Sequence, residues 1–254
     1  MTIIAVFNQK GGVAKTTTTL NLTAGLVRKG LEPLAIDLDP QAHLTATSEI
    51  TLTSSADSVF ALFRDNRSLA ELEQRMPCGA HIVPSHFELS KVEPLYGRGP
   101  RIVNRLKDGI REEMLQHENM PILIDCCPML GVLSLNAIFA AGKLLIPVSA
   151  DHLSLKGTAQ LDQTLKALEH VFKQRVARRY VITRYDSRRR MAREIAEQMR
   201  ERYGDELCET RISESVAIAE SPAHNRDIFA YAPCSPGARD YEFLLDELIA
   251  SGFV

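Results

Sequence analysis

No stretch of the chain approaches the roughly 20 consecutive apolar residues that a helix needs to cross a bilayer, so no membrane-spanning segment is expected. The N-terminus runs directly into a β-prone apolar stretch, Ile3-Ile4-Ala5-Val6-Phe7, so no secretory leader is expected either. Neither sign of charge is in excess: 30 Lys and Arg against 32 Asp and Glu leave a formal net charge of −2. That balance excludes a global attraction to DNA or to acidic lipid, and any such binding must come from a local patch. Cysteine is limited to Cys78, Cys126, Cys127, Cys208 and Cys234, an odd set with no Cys-x-x-Cys. This argues against a disulfide framework or a zinc site and for reduced thiols in a cytoplasm. Internal repeats, low-complexity tracts and linkers are missing, so residues 1–254 are expected to form a single domain. No N-terminal helix-turn-helix extension ahead of the first strand is expected. Tryptophan is absent, which excludes nothing.

What is present is an alternation of strand-like and helix-like segments from end to end, which predicts an α/β fold: a mostly parallel, twisted sheet with helices on both faces. After Ile3–Phe7, the pattern Leu20, Leu22, Ala24, Leu26, Val27 predicts a helix. Pro33–Asp37, Ala80–Pro84, Met120–Asp125, Lys143–Val148 and Tyr180–Thr183 read as strands. Residues 56–63 and 68–72 read as short helices, and a long helix is predicted over roughly Ile102–Gln116, opened by Arg98-Gly99-Pro100-Arg101. Helices are also predicted over Leu133–Phe139, over Leu153–Phe172 and from Ser187 onward. In the second of these, Leu153, Leu161, Leu165 and Leu168 form one stripe expected to be core.

The chemistry-bearing stretch is Asn8-Gln9-Lys10-Gly11-Gly12-Val13-Ala14-Lys15-Thr16-Thr17, set between the first strand and the first helix. Strand, glycine-bearing turn, helix is the context of a phosphate loop. Gly11 and Gly12 let the backbone turn tightly and approach an anion, and the unpaired amides at the helix start point at it. Lys15 supplies a cation for terminal phosphates, and the Thr16 hydroxyl suits Mg²⁺. Gln9 and Ala14 stand where the common Gly-x-x-x-x-Gly-Lys-[Ser/Thr] pattern has glycines. If the loop needs a positive φ at Ala14, the methyl costs about 1 kcal/mol or more.

Two further acidic clusters lie at the carboxyl ends of predicted strands, where ligands bind in open α/β sheets. One is Asp37-Leu38-Asp39-Pro40-Gln41-Ala42. The other, Ile122-Leu123-Ile124-Asp125, is a Walker B arrangement in which Asp125 would hold Mg²⁺ through a water. Cys126 and Cys127 follow, and they read more readily as small buried hydrophobes than as a redox or metal pair. His43, His81 and His86 read as ordinary loop or surface residues, because no second ligand sits at zinc spacing.

The run Lys10-Gly-Gly-x-x-Lys-Thr, with its early lysine, resembles the deviant Walker A motif of the ParA/MinD family of ATPases. Asp-Leu-Asp-Pro-Gln-Ala resembles that family's second motif and favours its ParA branch. Cys126-Cys127-Pro128-Met129-Leu130-Gly131 is similar to its Asp-Cys-Pro-Pro-x-x-Gly, with Cys127 replacing a proline. The runs Ile212–Pro222 and Ser235–Tyr241 are similar to its C-terminal motifs. The resemblance spans about Ile3 to Leu248. It implies a slow Mg²⁺-dependent ATP hydrolase, stimulated by a partner, that forms a homodimer around ATP. In the implied site, residues Lys10–Thr17 bind nucleotide, with Lys10 and Lys15 also catalytic and Lys10 reaching across the dimer. Thr16, Asp37 and Asp125 hold the metal, and Asp39 orients or deprotonates the attacking water. Thr183, Arg184 and Pro222 frame the adenine.

The same resemblance implies nonspecific DNA binding, a ParB-like centromere-binding partner, a role in plasmid or chromosome partition, and a cytoplasmic, nucleoid-associated location. The tail Glu247–Val254 lacks the basic amphipathic character of a MinD-type anchor, so no membrane recruitment is expected. Ten arginines lie from Arg175 to Arg202, and on the predicted helix Arg189, Arg193 and Arg200 share one face, with Met191, Ile195 and Met199 on another. That face reads either as a DNA-phosphate patch or as a solvated surface partly neutralised by Glu194, Glu197 and Glu201. Pro236 stands where some relatives carry a basic residue, which would put more of any DNA binding on the arginine helix. Two alternatives stay open: a ParA-like ATPase that positions a non-DNA cargo, and a nucleotide-dependent tether with negligible turnover.

Overall fold

The computed structural model describes residues 2–113, 120–172 and 175–254. In chain order the first half comprises β1 (Ile3–Val6), α1 (Lys15–Arg28), β2 (Leu34–Leu38), α2 (His43–Thr47), α3 (Phe60–Arg64), β3 (Gln74–Arg75), β4 (His81–Val83), α4 (Val92–Tyr96), α5 (Pro100–Val103) and α6 (Arg105–Glu113). The second comprises β5 (Ile122–Cys126), α7 (Val132–Ala141), β6 (Gly142–Ser149), α8 (His152–Phe172), β7 (Ala177–Tyr185), α9 (Arg190–Tyr203), β8 (Leu207–Ser213), α10 (Val216–Glu220), α11 (Ile228–Tyr231) and α12 (Pro236–Ala250). One eight-stranded sheet runs β3-β4-β2-β5-β1-β6-β7-β8, and every pairing is parallel except β3 with β4. The expected mostly parallel sheet is therefore present.

The expected two-sided cover is present too, and the strand period explains it. Ala5 and Phe7 face one layer, with α3, α5, α6, α7, α8 and α9, whereas Ile4 and Val6 face the other, with α1, α10, α11 and α12. Because helices cover the sheet on both sides of the central strand β1, both of its faces are buried, which is why its sequence is continuously apolar rather than alternating.

Three local expectations need correction. The helix predicted from Ile102 is two helices, α5 and α6, broken at Asn104; positions 114–116 lie outside the described residues. The cause is Asn136 on α7. Its Oδ1 accepts from Leu106 N (2.9 Å) and its Nδ2 donates to Ile102 O (2.9 Å), so it occupies both ends of the i→i+4 bond that would have continued the helix. Residues 68–72 form a turn, not a helix: Leu69 and Leu72 are both buried, and a single turn suffices to bring them to the same side. Leu153 leaves the α8 stripe, being 70% exposed while Leu161 and Leu165 are buried. It lies in the first turn of α8, at the carboxyl edge of the sheet, past the end of the core. On α9, the buried face is Ala192, Ile195, Ala196, Met199 and Tyr203, while Met191 in the first turn is 56% exposed.

Candidate functional site

The phosphate loop leaves β1 at the centre of the sheet, between two parallel neighbours whose carboxyl ends share its edge. Buried Asn8 pins it there: its Nδ2 donates to Pro147 O (2.7 Å) and its Oδ1 accepts from Lys10 N (3.0 Å). Gly12 has φ +74° and Ala14 has φ +68°, ψ 34°, so the loop does require the left-handed conformation at a residue that carries a Cβ. A Cβ added at Gly11 or Gly12 would meet no atom within 4 Å, so the loop surrounds open space. Helix α1 begins without a side-chain cap and with no acid in its first turn. Its leading amides therefore remain available to an anion, as a phosphate cradle needs. Lys15 Nζ folds back to Lys10 O (3.2 Å), and burial lowers its pKa against the pull of nearby Asp125.

Beside the loop stand two buried carboxylates, Asp37 and Asp125, in register on adjacent strands β2 and β5. Thr16 Oγ1 donates to Asp125 Oδ2 (2.7 Å). Burial, and then the neighbouring Asp37, push the Asp125 carboxyl well above the usual carboxylate range. Asp37 is raised to about 6 by burial, opposed by hydrogen bonds from Thr45 and Asp39. Two buried acids side by side with one lysine make a site short of positive charge. The oxygen donors Thr16 and Asp125, with Asp37 alongside, fit Mg²⁺, which binds through one or two carboxylates and takes its other ligands from phosphate and water. Asp39 lies just past β2 and lines a cavity of about 660 Å³ with Gln41, Cys127 and Val132. All five cysteines are free, and burial raises the Cys127 thiol to about 11, so it stays neutral against Asp39.

Lys10 does not reach into the loop's own cradle. Its Nζ lies 2.6 Å from Asp151 Oδ1 and 2.8 Å from Ser154 Oγ, at the start of α8. Thr183, at the end of β7, donates through Oγ1 to Val13 O (3.2 Å) and so braces the phosphate loop. Arg184 has φ +53° and turns to Glu214 (3.2 Å), while Pro222 sits partly buried in the turn Ser221–His224 after α10. Val13 is buried, and Thr17 lies within α1, where its carbonyl accepts from Asn21 Nδ2 (2.9 Å). The three arginines are exposed but engaged: Arg189 with Asp186 and Glu214, Arg200 with Glu209, and Arg193 with Ser187 O (2.6 Å). The structure thus gathers the loop, Asp37, Asp39, Asp125 and Thr183 at one edge, and it places the arginine helix separately, with acids around it.

Several residues in this arrangement carried no sequence signal of their own. Asn8 is signalled only by its place before the loop. Asp151 and Ser154, spaced as a helix cap, are recognisable as a start of helix but not as partners of Lys10 at a separation of 141 and 144 residues. Thr45 and Ser85, which are 40 residues apart and bonded to each other, bond to the acidic segment at separations of 8 and 46 residues.

A glycine-bearing loop between a central parallel strand and an uncapped helix, with a threonine bonded to the acid of the adjacent strand, defines a phosphate-loop nucleotide-binding domain. A family model described as an AAA domain matches residues 1–177. The chain is 30% identical to the sporulation initiation inhibitor protein Soj of Bacillus subtilis over 98% of its own length and 99% of Soj. It is 32% identical to the chromosome-partitioning ATPase Soj of Thermus thermophilus, covering 97% of this chain and 95% of that one. Among solved structures it is similar to cobyrinic acid a,c-diamide synthase from Mycobacterium smegmatis with a bound ATP analogue and magnesium, at TM-score 0.85 and 27% identity, covering 99% and 95% of the two chains. The chain belongs to the ParA/Soj family of chromosome-partitioning ATPases.

Proposed function

We propose that the protein is a Mg²⁺-dependent ATPase that dimerises on ATP, binds DNA without reading its sequence, and drives plasmid or chromosome partition with a ParB-like partner. The observation that carries the ATPase reading is the Thr16–Asp125 bond at the mouth of an uncapped, glycine-bearing loop. The ATP analogue and magnesium in the structure of the Mycobacterium smegmatis relative support the same choice of ligands. The amides of Gly11–Thr17 and Lys15 would bind phosphates, Thr16 and Asp125 would hold Mg²⁺ with Asp37 alongside, and Thr183, Arg184 and Pro222 would border the base. Bound Mg²⁺ would neutralise charge that builds on the phosphates. Asp39, with one carboxylate oxygen taken by Gln41 N (2.9 Å) and the cavity before it, would orient the attacking water.

Dimer formation is supported by three exposed apolar side chains in the segments that follow β5, β6 and β8 at the nucleotide edge: Met129 (77%), Leu153 (70%) and Val216 (72%). Lys10 would leave Asp151 and act across that interface, so nucleotide state would set the monomer–dimer balance. The DNA reading rests on Arg189, Arg193 and Arg200. Of these, Arg193 has no carboxylate partner among the described residues. A nucleoid-associated location would follow from it. Sizing by gel filtration with ATP, ADP or no nucleotide, on wild type and Lys10→Ala, tests the dimer: ATP should double the apparent mass of wild type alone. Phosphate release with and without DNA and partner tests turnover, and it should fall with Asp39→Ala. Unchanged turnover in that variant would remove Asp39 from its role. Charge removal at Arg189, Arg193 and Arg200 should weaken ATP-dependent DNA binding at low salt.

A further inference from the structure

Asp39 lies beyond the end of β2, on an irregular segment with no strand partner of its own, yet a water-orienting group must be held within a fraction of an ångström. What holds it is a closed ring of hydrogen bonds. Asp39 N donates to Asp37 Oδ1 (3.1 Å). Asp37 Oδ2 accepts from Thr45 N (2.9 Å) and Thr45 Oγ1 (2.7 Å). Thr45 Oγ1 in turn accepts from Ser85 N (2.8 Å), and Ser85 Oγ returns to Asp39 O (2.7 Å). The Thr45 hydroxyl is used in both directions, as donor to one acid and acceptor from the β4 side, so an isosteric side chain without a hydroxyl cannot close the ring. Thr45 and Ser85 are 4% and 1% exposed, so water cannot stand in for a missing link.

We propose that Thr45 and Ser85 are positioning residues that hold the Asp39 backbone, and through it the Asp39 carboxylate, against the cavity from which water attacks; this rests on the reading of Asp39 as the water-orienting acid. Ser85 gives that role a physical source outside the segment. It follows Pro84 at the end of β4, a strand whose parallel pairing with β2 fixes its height relative to Asp37. The ring thus transfers the rigidity of the sheet to a loop that has none of its own. Thr45 also saturates one oxygen of Asp37 with its amide and hydroxyl together, which leaves Asp37 a single direction from which to support the metal seat.

The test uses the full chain with Thr45→Val, Thr45→Ser, Ser85→Ala and Asp39→Ala, plus Ser85→Ala combined with Asp39→Ala. Phosphate release gives kcat and KM, and titration with a fluorescent non-hydrolysable triphosphate gives affinity. Expected are kcat values lower by roughly 10–100-fold for Thr45→Val and Ser85→Ala, with triphosphate affinity held within about twofold and Thr45→Ser recovering most of the loss. In the Asp39→Ala background, Ser85→Ala should give no further loss, because it acts through Asp39. Full turnover in Thr45→Val and Ser85→Ala alongside loss in Asp39→Ala would overturn the positioning role and leave the parent reading intact. Full turnover in Asp39→Ala would overturn the parent reading. If Thr45→Val does not fold, Ser85→Ala decides alone, and a Ser85→Ala loss that multiplies with Asp39→Ala, or that falls on affinity instead of kcat, refutes the proposal.

Discussion

Asp151→Asn is the most informative single change, because it acts on Lys10, the lysine proposed to act across the dimer. Within the chain, Lys10 Nζ is held by Asp151 Oδ1 at 2.6 Å and by Ser154 Oγ at 2.8 Å. Burial raises the Asp151 carboxyl, but the bonds from Lys10 and Ser154 more than offset it and hold the group at about 2. For Lys10 to act across a dimer, this contact must break. The two side chains are 31% and 40% exposed, so solvent screening limits the pair to about 0.5–1 kcal/mol, not the larger figure that the acid's shift alone would suggest. A dimer breaks two such contacts, about 1–2 kcal/mol in all, so their removal should tighten ATP-dependent dimerisation roughly 5–30-fold. Asparagine is the right replacement, because Asp151 Oδ1 also accepts from Ser154 N (2.9 Å) at the start of α8, and an asparagine cap keeps that bond. Sedimentation equilibrium with a non-hydrolysable triphosphate measures the constant. The same pair sets a pH signature. A carboxyl held below its ordinary 3.8 stabilises the fold fully above about pH 4 and loses that contribution as pH falls towards 2. The variant should lack that part of the acid limb. A dimer constant that is unchanged or weaker in Asp151→Asn would refute the idea that the lysine is held back within its own chain.

Three further outcomes follow from local geometry. Ala14→Gly should change stability by less than about 1 kcal/mol, since relief of the left-handed backbone is offset by a freer unfolded chain, whereas Ala14→Val should cost roughly 1–3 kcal/mol; equal denaturation midpoints for the two would contradict the observed φ of +68°. Asn136→Ala should cost about 2–4 kcal/mol by stranding Leu106 N and Ile102 O in the core, and a loss under about 1 kcal/mol in chemical denaturation would mean that α5 and α6 fuse once the side chain is gone. Arg178→Met should cost about 3–5 kcal/mol, because the buried guanidinium lies 2.5 Å from Asp162 and 2.6 Å from Glu169 and its removal leaves two acids short of a partner. Thermal melting that stays at the wild-type value would show that Lys166, 2.9 Å from Asp162, compensates alone.

The strands that carry the site were legible because each is buried on both faces. Ile3–Phe7, Leu34–Ile36 and Ile122–Ile124 read as unbroken apolar runs, and a run that leads into Asp at a parallel-sheet edge, as the last two do, has few structural alternatives. The phosphate loop was legible for a similar reason: backbone amides do the binding, so the requirement falls on consecutive residues. Long helices were less so. Periodicity placed α8 and α9, but it put Leu153 on a core face, because it does not register where a helix runs past the edge of the sheet.

What the sequence determined by itself was therefore whatever depends on neighbours along the chain: the strand–loop–helix of the nucleotide seat, the acids at the strand ends, and the alternation that makes a two-sided parallel sheet. Only the tertiary structure decided the pairings across large separations. It set Lys10 on Asp151, closed the Thr45–Ser85 ring around Asp37 and Asp39, and let Asn136 split a helix that local propensity would have kept whole. The reason is physical. A hydrogen bond between residues 40 or 141 apart depends on where the sheet brings two loops together, and no period or motif in either loop encodes that meeting.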